Sequence, residues 1–199
     1  MTELEITDLS QEEISFAAGL LGRAYRDNLM TFALLGNDPE LRLRVTEGIM
    51  EIRIESMERR PLAARRDGRI VGVCGFEPPG GSDMSPENQR RMIETLSLGG
   101  PDVLRKAQTM RAEWAGLAPA ERHWHLGPVG VEPGLQGKGI GGMMVERFCG
   151  WMDAEGEMAY LETEHEENLC LYEKFGFVII DQAPVLGIPM WRMIRRPAG

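Results

Sequence analysis

Apolar and polar residues repeat in two periods along this chain, and the switches between them mark its elements. Residues 3–8, around Leu4 and Ile6, read as a first strand. Ser10 with Glu13 three residues later is a capping-box pattern, and Ile14, Ala17, Leu21, Ala24 and Tyr25 follow at helical spacing. Asp38-Pro39 opens a second helix with Leu41, Val45, Ile49 and Ile52 on one face. Arg42, Arg44, Arg53, Arg59 and Arg60 around it read as solvated surface. Residues 62–66 and 69–77 form a hairpin around Asp67-Gly68, a strong turn dipeptide. A PPGGS loop then leads into two weaker helical patterns, 86–97 and 102–115. The stretch from about 80 to 120 reads as a helical insertion over the sheet, because so short a segment buries little alone.

Strand character returns at 122–132. Ile140, Met143, Met144, Phe148, Trp151 and Met152 then recur at three and four residues, an amphipathic helix. MAYLET at 158–163 is a short apolar strand, and 167–175 is a short helix closed by Gly176. Strands at 177–182 and 188–195 complete the pattern. Strands alternating with helices, then a terminal hairpin, predict one mixed α/β sheet in a single domain spanning 1–199.

Composition narrows the partners. Of 199 residues, 43% are hydrophobic and 27% charged, which excludes a disordered chain. The formal net charge of -9 argues against nucleic acid, whose phosphates call for a basic surplus. No apolar run reaches membrane-spanning length, and MTELEITDLS has neither the basic nor the apolar region of a signal peptide, so a cytoplasmic protein without membrane attachment is expected. Cys149 and Cys170 fall at core-like helix positions and read as inert buried thiols. His123, His125 and His165 are the only histidines; a three-His metal site is conceivable, but no metal is expected. Glycine is in excess, 24 of 199, and seven of these lie between 127 and 142.

Those seven frame Val129-Gly130-Val131-Glu132-Pro133-Gly134-Leu135-Gln136-Gly137-Lys138-Gly139-Ile140-Gly141-Gly142. A strand ends and small residues lead straight into a helix. The first N–H groups of a helix lack internal partners and carry the positive end of its dipole, so such a turn cradles phosphate. A Walker loop is excluded, since Glu132 and Gly139 stand where Gly and Ser or Thr are required. The dinucleotide fingerprint is met by Gly137, Gly139 and Gly142, with Glu162 twenty residues beyond, but Glu132 to Gln136 intervene between strand and glycines. A nicotinamide-dependent oxidoreductase is thus one alternative, and a non-catalytic acyl-CoA-binding module another.

Val-Gly-Val-x-Pro-x-x-Gln-Gly-Lys-Gly-Ile-Gly resembles the acetyl-CoA loop of the GNAT acetyltransferase superfamily, and Leu161-Glu162-Thr163 … Asn168 … Leu171-Tyr172-Glu173-Lys174-Phe175-Gly176-Phe177 resembles its final helix and strand. The resemblance covers about 122–180. Leu117-Ala118-Pro119, the LET strand and the Asn-to-Tyr spacing are similar to puromycin N-acetyltransferase-like bacterial members. The resemblance implies a mixed, mostly antiparallel sheet flanked by helices on both faces, with the insertion before the fourth main strand. It implies acetyl transfer from acetyl-CoA to a primary amine of a small molecule, by direct attack in a ternary complex. The pantetheine arm would pair with Val129, Gly130 and Val131, and Gln136, Gly137, Lys138, Gly139, Ile140 and Gly141 would hold the pyrophosphate. Asn168 would touch the arm, and Tyr172 would protonate the departing thiolate.

An alkylammonium is almost wholly protonated at neutral pH, so a base helps. Glu162 ranks first, followed by Glu164 on the same strand face and His125 on the adjoining strand. From Asp153 to Glu173 there are eight acidic residues and no Lys or Arg; this run is either a solvated face or a field that draws in a cationic amine. A homodimer is a further possibility.

Overall fold

The computed structural model describes residues 4–198; Glu3, within the first predicted strand, lies outside them. Seven strands form one sheet in the order β1-β2-β3-β4-β5-β7-β6. They are β1 (Leu4–Asp8), β2 (Leu62–Arg66), β3 (Arg69–Glu77), β4 (Trp124–Val131), β5 (Ala159–Thr163), β6 (Val178–Val185) and β7 (Ile188–Arg195). Only β4 and β5 run parallel; every other neighbouring pair is antiparallel. The expected α/β class and mostly antiparallel mixed sheet are present.

Helices α1 (Ile14–Tyr25) and α3 (Pro39–Ser56) cover one face, and α6 (Ile140–Glu155) with α7 (Leu169–Lys174) covers the other. On the first face Leu20, Leu21, Met50 and Ile54 meet Ala63 and Val73. On the second, Met144, Phe148 and Met152 meet Cys74, Phe76 and Leu126. The start signals hold: Ser10 N–H donates to Glu13 at 2.9 Å, and Asp38 Oδ1 accepts from Glu40 N and Leu41 N. Helix α2 (Leu29–Leu35) has no counterpart in the sequence pattern, because all its residues except Thr31 are apolar and show no helical period.

The insertion forms α4 (Pro86–Ser97) and α5 (Gly100–Ala115). It does not lie over the sheet as expected; it leans on other helices and on the β6–β7 end. Gly48 of α3 approaches α4 so closely that a Cβ there would stand 2.8 Å from Thr95 Cγ2. Val103 joins Leu34, Leu35 and Val45, while Met110 and Trp114 meet Met30, Val185 and Met190. Arg42 is likewise no surface residue. It is 4% exposed, donates to Arg26 O, Gly36 O and Asp27 Oδ1, and stacks on Phe32. The α1–α2 and α2–α3 turns need those donors for their carbonyls, which hydropathy alone does not reveal.

Candidate active site

Strands β4 and β5 separate after two residue pairs, Trp124 with Ala159 and His125 with Tyr160. Beyond them β4 keeps its β3 partners, Cys74 with Val129, Val73 with Gly130 and Gly72 with Val131. Its other edge is left facing a wedge. Gly130 lets α1 approach that edge; a Cβ there would lie 2.6 Å from Leu21 Cδ2. The approach carries Tyr25, the last residue of α1, onto the wedge. Its hydroxyl accepts from Val129 N–H and donates to Val129 C=O, both at 3.0 Å.

Glu132, the residue after β4, is held by Arg23 of α1 at 2.9 and 2.8 Å. A 3₁₀ turn, Pro133–Leu135, follows, and α6 begins at Ile140. Gly137 and Gly139 have φ of +73° and +80°, a left-handed backbone that side chains resist. Among the described residues, none of the N–H groups from Gln136 to Gly142 donates to a protein acceptor. Seven free donors thus lie in the turn that opens α6 at the positive end of its dipole, the groups an anion cradle requires. Lys138 stands beside them with Nζ 3.2 Å from Gly134 O, and Gln136 Nε2 donates to Val131 O at 3.2 Å. These residues fit a pyrophosphate and an extended amide chain on the open edge.

The candidate bases meet across the narrow end of the wedge. His125 Nε2 is 2.7 Å from Glu162 Oε2, and the Glu162 side chain is only 9% exposed. Burial pushes its carboxyl upward, but the His125 hydrogen bond and charge, the Tyr160 hydroxyl and Arg53 together hold it below the ordinary value. Glu164 lies just beyond the end of β5 at Thr163, not on the strand face expected for it, and accepts from Asn28 Nδ2 at 3.2 Å. Arg53 reaches from α3 to Glu77, 3.5 Å away, and Glu77 is the cross-strand partner of His125.

Tyr172 projects from α7 into the core and meets Phe177 edge-on. Burial raises its phenol above the ordinary range, and Tyr25, Cys74 and Glu164 add to the effect. The Tyr172 hydroxyl has no hydrogen-bond partner among the described residues. Asn168 ends a 3₁₀ turn, Glu166–Asn168, and precedes α7 rather than lying within it. Cys170 is exposed, contrary to the core position its spacing suggested, because α7 is too short to bury more than one face; Cys149 is buried as expected.

The acceptor-steering reading of the acidic run is narrowed. Asp153, Glu155 and Glu157 pair with Arg195, Arg59 and Arg122, so three of the eight carboxylates are already engaged by cations. Glu162 is turned to His125 rather than to the glycine loop, which removes the ribose role of the dinucleotide reading. No group of three or more metal-ligating side chains occurs among the described residues, and no helix there is long and apolar enough to cross a membrane.

The acetyltransferase (GNAT) family matches residues 28–177, three quarters of the chain. The chain belongs to the GNAT acetyltransferase family. An uncharacterized N-acetyltransferase of Schizosaccharomyces pombe, C550.08, is 36% identical over 81 residues, 39% of this chain and 33% of that protein. The match thus spans about a third of that relative's length. A solved structure from Corynebacterium glutamicum, a histone acetyltransferase HPA2 and related acetyltransferase, superposes with a TM-score of 0.75 at 21% identity, covering 100% of this chain and 98% of that one. A GNAT acetyltransferase from Brucella melitensis in complex with acetyl-CoA gives 0.54 at 16%, covering 96% and 88%. At these identities the likeness is one of fold. Within this GNAT chain, sequence reasoning missed Tyr25, Asn28, Arg53 and Glu77. They come from segments remote in sequence, and only Tyr25 carried any signal, as the last apolar position of its helix.

Proposed function

We propose that this chain is a single-domain N-acetyltransferase that moves the acetyl group of acetyl-CoA to a primary amine of a small molecule. The observation that carries the reading is the wedge between β4 and β5, with an anion cradle at one end and the Glu162–His125 pair at the other. Acetyl-CoA, when bound, supplies a thioester whose carbonyl carbon takes the nucleophile. The loop donors from Gln136 to Gly141 and Lys138 would hold its pyrophosphate, Val129 to Val131 would align its arm, and Asn168 would contact that arm.

The amine arrives as a cation, attracted by Glu162 and Glu164. A carboxylate held below its ordinary range is a weak acceptor on its own. Hydrogen-bonded to Nε2–H, Glu162 instead fixes the imidazole so that His125 Nδ1 accepts the ammonium proton, an orienting role familiar from triads. The free amine nitrogen then bonds to the acyl carbon. As the carbon–sulfur bond breaks, Tyr172 gives its hydroxyl proton to sulfur, and the nitrogen's surplus proton restores the phenol through solvent. The raised phenol stays protonated throughout the neutral range. Phosphates are balanced by amides, a dipole and Lys138, which is how an acidic chain accommodates an anionic co-substrate.

Asn28, Arg53, Glu77 and Glu164 surround the amine side and set its choice. Calorimetric titration tests the reading: acetyl-CoA binds in the micromolar range and NADH does not. Binding of NADH without acetyl-CoA would restore the oxidoreductase alternative.

A further inference from the structure

Residues Val129 and Val131 are two apart on β4, so their main-chain groups point to the same edge. That edge faces the wedge, where no strand pairs with it. Two side chains close it. Tyr25 hydroxyl takes both Val129 N–H and Val129 C=O, and Gln136 Nε2 takes Val131 C=O. One oxygen that accepts from N–H and donates to C=O of a single residue reproduces the pairing of an incoming amide on a strand edge. It satisfies groups that would otherwise be left unpaired in a desolvated wedge.

On the reading that the wedge takes the pantetheine arm of acetyl-CoA, we propose that the Tyr25 hydroxyl is a placeholder. It occupies the ligand's amide position on Val129 and is displaced when the arm binds. Three features support displacement. Tyr25 is the last residue of α1, so a ring swing need not unwind the helix. Its side chain is half-buried, not locked on all sides. Its phenol is pushed up to about 12, chiefly by burial, so it remains a neutral group that can leave without exposing a charge. Its neighbourhood includes the Tyr172 phenol and Glu164. A released Tyr25 thus moves beside the reacting groups, and the same exchange that admits the arm clears the edge next to the acid.

The exchange costs affinity. Bonds to Tyr25 must be given up before bonds to the ligand are gained, and each is worth a modest net amount over water. Tyr25→Phe keeps the ring and deletes the placeholder. The proposal predicts that acetyl-CoA binds this variant about two- to tenfold more tightly than wild type. KM for acetyl-CoA falls with it. A merely structural Tyr25 would give the opposite: weaker binding and higher KM. Unchanged or weaker binding overturns the proposal.

A crystal structure of wild type with acetyl-CoA supplies a test that does not depend on the variant's folding. An amide of the arm on Val129, with Tyr25 Oη beyond hydrogen-bond reach, supports the placeholder. A Tyr25 still bridging Val129 beside a bound arm overturns it. Wild type that fails to bind acetyl-CoA overturns the underlying reading, and the placeholder with it; wild type that binds while Tyr25→Phe gains nothing overturns the placeholder alone.

Discussion

His125 Nε2 and Glu162 Oε2 lie 2.7 Å apart at the point where two parallel strands stop pairing. Neither strand alone makes this contact. It arises because His125 stands opposite Tyr160 in the last paired rung of β4 and β5, and Glu162 lies two residues farther along β5. The imidazole is thereby fixed at the narrow end of the wedge, with one nitrogen engaged and the other available.

Glu162→Gln keeps the shape of the side chain and removes its charge. The variant is expected to lose about 10²- to 10⁴-fold in kcat/KM for the amine. Acetyl-CoA affinity should be unchanged, since the loop lies elsewhere. The carboxyl of wild type is held below 4.5, so it ionises as pH rises through that lower value and stays ionised across the neutral range. Its own protonation therefore limits the rate only in acid. Steady-state kinetics across pH check both statements, and parallel losses in turnover and cofactor affinity would make Glu162 structural.

Tyr172→Phe tests the acid. With no hydrogen-bond partner to forfeit, the hydroxyl's removal should leave stability and acetyl-CoA affinity nearly intact. Turnover should fall by roughly 10²-fold. The check is a pairing of calorimetry with kcat; equal losses in both would assign Tyr172 to packing.

Gly139→Ala addresses the cradle. Its φ of +80° costs a side-chain residue about 1–2 kcal/mol, and the strain falls on the turn that aims the N–H groups. The expected result is an acetyl-CoA Kd raised at least tenfold with a small drop in Tm. Lys138→Ala should weaken binding less, and less still in high salt, because its charge is exposed and screened. A Lys138→Ala loss exceeding that of Gly139→Ala would shift the anion's hold from the backbone to the side chain.

Acid stability has its own marker. Arg65 donates to both Glu13 carboxylate oxygens at 2.7 Å, and these bonds, with the Ser10 N–H, hold that carboxyl at about 2. A depressed carboxyl stabilises the fold above its ordinary 4.5, and the stabilisation is lost as pH falls toward 2. Wild type should therefore lose stability over that window more steeply than Arg65→Met, by circular dichroism at low salt. Identical slopes would refute the assignment.

Most of the sheet and its major helices could be read from periodicity, because their apolar faces are clean. The hairpin around Asp67-Gly68 matches its predicted bounds, and the helix from Ile140 buries most of its predicted face, with Met143 left exposed. The reading failed where burial comes from several sides or from polar contacts. Helix α2 has no polar face to reveal its period, Arg42 is buried by the carbonyls it caps, and α7 is too short to hide Cys170. For the candidate site, the glycine loop and the segment that carries Glu162, Asn168 and Tyr172 could be proposed from the sequence because each is a local stretch. The Tyr25 bridge and the Arg53–Glu77 pair depend on which helix crosses which strand, and spacing along the chain does not encode that.

Release of free CoA thiol from acetyl-CoA, measured over a panel of small primary amines, tests the central claim most directly. The account predicts amine-dependent thiol release that saturates in both substrates and is lost in Glu162→Gln. Tight acetyl-CoA binding with no amine-dependent thiol release from any member of the panel would contradict it and leave a binding module.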